Sequence, residues 1–197
     1  MIGIIAALVF MSCAGAFAVA GPLHDAARDG DLEKARALIA EGAAIDGRSN
    51  RGETPLILAI LAGNDAIAEL LLEKGAAIDG RNAGGFPPLH AAAYAGDAAI
   101  AELLIERGAD VNDAKNKSGV TPLFPAIEED HKEVAELLIT EGADLGSKEK
   151  AGYTALTRAL FKGHQDMVVL LRAQGAECQG PDVLGEPLHQ ACLAAGK

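Results

Sequence analysis

Residues 87–112 read PPLHAAAYAGDAAIAELLIERGADVN, and this stretch decides the fold of the chain. It runs from a Pro-Leu-His segment through alanines to Gly96, then through an apolar stretch to Gly-Ala-Asp-Val-Asn. The opening segment occurs in six copies, at intervals of 32 to 34 residues. The other copies begin at Gly21-Pro22-Leu23, Thr54-Pro55-Leu56, Thr121-Pro122-Leu123, Thr154-Ala155-Leu156 and Glu186-Pro187-Leu188. Such a period indicates a solenoid, in which each unit packs only on its neighbours.

Each copy predicts a pair of helices. Hydroxyls stand where they cap a first helix, and the prolines that follow occupy the first helical position, where no N–H is needed. The capping residues are Thr54, Thr121 and Thr154. Left-handed residues are expected to end the first helices at Gly30, Gly63, Gly96, Asp130 and Gly163. Apolar residues at helical spacing then predict second helices over 32–40, 66–73, 99–106, 132–140 and 165–173.

The copies resemble the ankyrin repeat family, whose motif reads T-P-L-H-x-A-A-x-x-G-H before an apolar helix and G-A-D-V-N. The resemblance covers residues 21–197. It implies a mainly α fold, an ankyrin-repeat solenoid of helix-turn-helix units joined by β-hairpin loops. Five repeats and a C-terminal half repeat are expected, in a monomer that binds a protein.

Residues 1–20 differ from the rest of the chain. An apolar run, MIGIIAALVF, precedes a stretch of small residues, which is typical of a cleaved signal peptide, although no Lys or Arg comes before the run. An uncleaved membrane anchor and a lipid on Cys13 are the alternatives. We therefore expect an exported protein, in a bacterial periplasm by preference, and otherwise membrane-anchored or secreted.

Charge and histidine placement limit the function. The net charge of −11 argues against nucleic acid, because phosphate binding needs a basic face. All five histidines occupy motif positions, where the resemblance implies that they bond loop backbone. These are His24, His90, His131, His164 and His189. No catalytic residue, cofactor or metal site is predicted, and the chain is not expected to be an enzyme.

Cys178 and Cys192 are the cysteines of the predicted mature chain. In an oxidising compartment they could form a disulfide. Two separate buried thiols are the alternative, which the sequence favours because the distance between the residues is unknown.

The resemblance implies that contacts come from the hairpin tips and from the ends of the first helices. The partner-binding residues predicted there are Arg51, Leu61, Phe86, Tyr94, Lys117, Val120, Lys150, Tyr153, Phe161 and Lys162. Four of the five aromatic residues after residue 20 are among them, and only Phe124 is not. Aromatic side chains anchor interfaces, so this clustering predicts a binding stripe. The alternative is that the rings pack against neighbouring loops.

The same tips are rich in basic residues. They carry Arg48, Arg51, Arg81, Lys115, Lys117, Lys148 and Lys150. A basic rim predicts a protein partner with acidic patches, and the alternative is solvated side chains without a role. The sequence thus favours a scaffold or adaptor that binds a partner on its concave face. A stoichiometric inhibitor, immunity protein or secreted effector that blocks one enzyme is the second hypothesis.

Overall fold

The computed structural model describes residues 21–195, in which the chain forms twelve helices. The predicted signal peptide lies outside the described residues. The first helices of the successive pairs are α1 (Pro22–Asp29), α3 (Pro55–Leu61), α5 (Pro88–Ala95), α7 (Leu123–Glu128) and α9 (Ala155–Lys162). The second helices are α2 (Leu32–Ala40), α4 (Asp65–Glu73), α6 (Ala98–Glu106), α8 (Lys132–Thr140) and α10 (Gln165–Ala173). The described chain closes with α11 (Pro181–Leu184) and α12 (Glu186–Ala194).

The helices stack in two rows. Helices α1, α3, α5, α7 and α9 contact one another in order, and α2, α4, α6 and α8 form the second row. The leucine of each opening segment is buried between neighbouring units. Leu23, Leu56, Leu89, Leu123 and Leu156 are at most 3% exposed. Each such burial stabilises the stack by about 1.5–3 kcal/mol, so the predicted solenoid is confirmed and its core is a sum over neighbours.

The connections between pairs are hairpin-like tips rather than paired strands. One isolated antiparallel bridge, between Lys148 and Thr154, is the extent of β pairing in residues 21–195. Each tip turns back through a backbone hydrogen bond from its glycine, such as Gly85 N–H to the Asn82 carbonyl at 2.9 Å. The tips therefore project from the row of first helices, where they border one face of the solenoid.

The predicted helix ends are confirmed at the left-handed positions. The backbone φ angle lies between 60° and 78° at all five, and Asp130 is the only non-glycine residue with positive φ in the described chain. Asp is among the residues that enter this region at least cost. The second helices α4 and α6 begin one residue earlier than predicted, at Asp65 and Ala98.

The predicted caps are confirmed at Thr54 and Thr154 and wrong at Thr121. The first two hydroxyls accept hydrogen bonds from the N–H three residues later, both at 3.3 Å. At α7, the Phe124 N–H donates instead to the backbone carbonyl of Thr121 at 3.0 Å. The Thr121 hydroxyl is left buried without a partner, and α7 begins only at Leu123, after Pro122.

The residue just before a second helix links neighbouring units at α4, α8 and α10. The side chain of Asn64 donates to the Ala27 carbonyl at 2.8 Å, and His131 and His164 lie 3.0 and 3.3 Å from carbonyls at the ends of α5 and α7. Asp97 holds the same position before α6 but, when ionised, has no proton to donate. Its Oδ2 is buried without a partner, and burial, followed by the nearby Asp65, raises the pKa of Asp97.

We expect Asp97→Asn to stabilise the protein by about 1 kcal/mol at pH 7, because the amide can donate to the end of α3 and keeps the cap that Oδ1 makes with Ile100. The folded-state pKa of Asp97 is raised, so the folded protein takes up this proton before the unfolded chain does. The variant's advantage in free energy of unfolding over the wild-type protein is therefore expected to shrink as the pH falls from 7 towards 4. Urea unfolding followed by circular dichroism at several pH values measures both effects.

Asp31→Asn is the matched control for this prediction. Asp31 caps α2 through the same bond, to the Lys34 N–H at 3.0 Å, but no described unit precedes its own. An equal gain in both variants would mean that relief of negative charge, rather than the link to α3, is responsible.

Candidate functional site

A groove of about 350 Å³ lies on the face formed by the first helices and the tips. Its apolar lining includes Leu61, Phe86, Tyr94, Val120, Phe124 and Pro125. Its polar lining includes Asn82, His90, Ser118, Glu128, Glu149 and Arg158. Tyr94 and Leu61 are 55% and 42% exposed, so within one groove they leave apolar surface open to a partner.

The groove brings together part of the predicted stripe. Four of the ten predicted partner-binding residues line it, namely Leu61, Phe86, Tyr94 and Val120. Phe86 is half-buried against His90, with ring centroids 5.5 Å apart. Its ring is therefore part of the packing of the repeat as well as of the groove lining.

Tyr153 and Phe161 form a separate pair that does not line the groove. Their rings meet edge to face with centroids 5.2 Å apart, and Phe161 remains 44% exposed while Tyr153 is half-buried. The guanidinium of Arg158, which does line the groove, lies 6.0 Å from the Tyr153 ring centroid. The predicted stripe of exposed rings is thus two patches, joined through Arg158, and Lys162 is exposed beside the second.

Backbone hydrogen bonds join neighbouring tips into a continuous ribbon along one edge of the groove. The donors are the N–H groups of Ala83, Lys117 and Lys150, and the acceptors are the carbonyls of Arg51, Gly84 and Ser118, at 2.9–3.0 Å. The ribbon fixes where the side chains of successive tips stand, so that the tips present their residues as one surface.

The ribbon carries most of the predicted basic rim. The exposed cations of the rim are Arg48, Arg51, Lys115, Lys117, Lys148 and Lys150. Arg81 departs from the prediction, because its guanidinium forms an ion pair with Asp113, which is only 7% exposed, and also donates to the Gly85 carbonyl at 2.9 Å. Arg48 donates to the carbonyl of Arg81. These two arginines therefore hold adjacent tips together.

Two of the charged groups in the groove face each other. Arg158 Nε lies 3.4 Å from a carboxylate oxygen of Glu128, although the geometry is not that of a hydrogen bond. Glu149 is only 8% exposed and forms no ion pair in the described chain. The groove thus holds one more carboxylate than it has cations.

Three of the five histidines bond loop backbone, as the resemblance implied, whereas His131 and His164 do not. His24, His90 and His189 place a ring nitrogen 2.9 Å from a loop carbonyl, and His131 and His164 contact helix ends as described above. Burial lowers the pKa of His90, because a charged imidazole is poorly solvated there. Within residues 21–195 no group of three or more His, Cys, Asp or Glu side chains could hold a metal ion.

The structure joins Cys178 to Cys192 by a disulfide with an S–S distance of 2.01 Å. The preference for two separate thiols is therefore wrong, since the sequence could not give the spacing of the two Cα atoms, which is 6.0 Å. The bond ties the loop after α10 to α12.

Gln179 is a structural residue that the sequence analysis missed. The first, third and last copies have the motif His, whereas the fifth has Thr157, and Gln179 from the following loop makes the loop contacts there. Its Oε1 accepts from the Thr154 N–H and the Thr157 hydroxyl, and its amide donates to the Gly152 carbonyl at 2.9 Å. Glu149 and Arg158 were likewise missed as groove residues, because Glu149 is the first residue of its tip rather than the last and Arg158 lies in the middle of α9.

The stacked helix pairs define a helical repeat protein, and the open groove lies on the face of its first helices and tips. The family model for ankyrin repeats in three copies matches residues 23–115 and 112–182, so the chain belongs to the ankyrin repeat family. A comparison with curated proteins gave no match. Ankyrin repeats are generally protein-protein interaction modules, and the family is typically non-catalytic. No helix within residues 21–195 is long and apolar enough to cross a membrane.

Proposed function

We propose that this protein is an exported scaffold that holds one protein partner in the groove between the first helices and the tip ribbon. The observation that carries the proposal is the exposure of Tyr94 and Leu61 in a groove that also contains Phe86 and Val120. Interfaces are anchored by large apolar and aromatic side chains that enter or form a pocket, while the surrounding contacts exclude water.

The charges around the groove restrict the partner. Lys117 and Lys150 stand on adjacent tips, and Arg51 precedes them along the ribbon. A partner surface with acidic patches beside its apolar contact would match this row of cations. The net charge of −11 would repel a nucleic acid from the rest of the molecule, which supports a protein as the partner.

Export is supported by the composition of residues 1–20 and by the disulfide between Cys178 and Cys192. Disulfides persist in oxidising compartments such as the bacterial periplasm and are rare in the cytosol. Fractionation of bacterial cells that express the chain, with mass spectrometry of the recovered protein, tests this. Protein that begins near residue 21 in the periplasmic fraction is expected, whereas intact Met1 in the cytosol would contradict export.

We expect Tyr94→Ala to reduce partner capture at least tenfold while changing the stability of the protein by no more than about 0.5 kcal/mol, since the ring is 55% exposed. Affinity capture measures the loss. The full-length chain and the variant serve as baits for the envelope fraction of the native bacterium, and quantitative mass spectrometry compares the proteins that they retain.

Val169→Ala is the matched control, because Val169 is 52% exposed but lies on α10, in the row of second helices away from the groove. A partner retained by this control and lost by Tyr94→Ala supports the proposal. Equal retention by all three baits would place the interface outside the groove. A large loss of stability in Tyr94→Ala would show that the ring is a core residue.

A further inference from the structure

Each tip is closed by the side chain of its first residue. Ser49, Asn82 and Asn116 each use one short side-chain oxygen to accept two backbone N–H groups of their own tip, at 2.9–3.2 Å. A hydroxyl or a short amide therefore satisfies the turn with no charged atom left over.

Glu149 stands at the same position in the fourth tip, as shown by the equivalent backbone bonds from its N–H to the Tyr153 carbonyl and from Gly152 to its own carbonyl. Its Oε2 accepts from the Ala151 N–H at 2.9 Å. Its Oε1 is buried and has no hydrogen-bond partner in the described chain. The fourth tip thus uses a longer, charged side chain for a task that a shorter neutral one performs in the other three.

An unpaired buried carboxylate oxygen is unfavourable in the free protein, so it calls for an explanation beyond closing the tip. Glu149 lines the groove, and Arg158, the one Lys or Arg in that lining, is already paired with Glu128. Because water is excluded from Oε1, a donor that reached it would form a strong, charge-assisted hydrogen bond.

We propose that Glu149 makes the groove selective for a partner segment that inserts a Lys or Arg side chain beside Tyr94. The inference rests on the proposed function, and it names the residue type of the partner that the groove recognises. The aliphatic part of such a side chain packs on the exposed apolar lining while its charged end donates to Glu149. Acidic residues on either side of the inserted cation meet Lys117 and Lys150 on the ribbon.

The test uses a random twelve-residue peptide phage library, panned in parallel on the full-length chain and on its Glu149→Gln variant. The Gln side chain can still accept from the Ala151 N–H, so the tip is expected to keep its turn. Peptides enriched on the wild-type chain are then made with a fluorescent label, and their Kd is measured by fluorescence anisotropy. Each peptide is also made with its Arg replaced by citrulline, or its Lys by acetyl-lysine. Both replacements remove the charge, and citrulline also keeps the shape of the Arg side chain.

We expect the wild-type chain to enrich peptides with a Lys or Arg next to apolar residues, and Tyr94→Ala to weaken their binding. Neutralising the peptide or changing Glu149→Gln should each weaken binding about tenfold, and the two changes together should cost little more than one alone. Peptides that depend on Tyr94 but show neither the basic residue nor this coupling would overturn the inference and leave the groove as the binding site. Failure to enrich any peptide that depends on Tyr94 would overturn both.

The uncharged peptides test the inference on the wild-type chain even if Glu149→Gln does not fold. Loss of charge on the peptide alone, measured against the wild-type chain, must weaken binding about tenfold. An unchanged Kd for the citrulline or acetyl-lysine peptide would overturn the inference by itself.

Discussion

Loss of the Cys178–Cys192 disulfide is expected to lower the free energy of unfolding of the C-terminal unit by about 3 kcal/mol. The bond closes a loop with a sequence separation of 14, and cross-linking a loop of this size removes about that much chain entropy from the unfolded state. The buried apolar side chains of α11 and α12 are those of Leu184 and Cys192, and the two helices contact mainly each other. The disulfide therefore replaces the apolar interface that joins the earlier units.

Amide hydrogen exchange with and without a thiol reductant measures this effect, because units of a solenoid can open separately. Protection is expected to fall for residues 178–194 and to remain for α3 to α8. Cys178→Ala with Cys192→Ala serves as the control, since this variant should match the reduced wild-type protein and not respond to reductant. Protection of α12 that survives reduction would show that packing, rather than the bond, holds the last helix.

Arg81→Met is expected to destabilise the protein by about 2–3 kcal/mol at pH 7. Asp113 would be left almost fully buried without its cation, and Arg81 would no longer donate to the Gly85 carbonyl that helps to shape the second tip. Removing one member of a buried pair is costly because the remaining charge is not compensated, and the partial exposure of Arg81 moderates the loss.

The pH dependence of this variant follows from the pKa of Asp113. The hydrogen bond from Arg81 is the main cause that holds this pKa below its usual value, so the pair stabilises the protein above about pH 4. That stabilisation is lost as the pH falls through the lowered folded-state pKa. The difference between wild type and Arg81→Met in urea unfolding is therefore expected to shrink below about pH 4.

Arg51→Met is the control for this second prediction. Arg51 is a tip arginine with an exposed side chain, and its removal should change stability by no more than about 0.5 kcal/mol. If Arg81→Met behaves like Arg51→Met, the ion pair with Asp113 contributes nothing to folding, and Arg81 returns to the set of cations available to a partner.

The repeat motif predicted the fold because each of its residues has one local physical role. The left-handed ends of the first helices and the buried leucines follow from backbone sterics and apolar spacing, and both are found. Thr121 shows the limit of such reasoning, since its hydroxyl and its own carbonyl compete for the same N–H and the local sequence does not decide between them.

The groove was predictable only in part. Tyr94 and Leu61 were found because the ends of the first helices are exposed in this type of solenoid, whereas the half-burial of Phe86 depends on the ring of His90 in the same repeat. Glu149 could have been found by aligning the first residues of the four tips. The other three, Ser49, Asn82 and Asn116, have short neutral side chains, whereas Glu149 is long and acidic. The unpaired state of its second oxygen, however, depends on three-dimensional packing that no alignment of copies contains.

The bonds of Gln179 have a consequence for any attempt to exchange parts of this protein. Thr154 and Thr157 depend on an amide that comes from beyond the end of α10, so the fifth repeat is not self-sufficient. A chimera that moved residues 154–173 into another solenoid would leave the Thr154 N–H and the Thr157 hydroxyl without their partner. The smallest transplantable piece of this region therefore extends from Gly152 to Gln179, across the boundary that the repeat period alone would suggest.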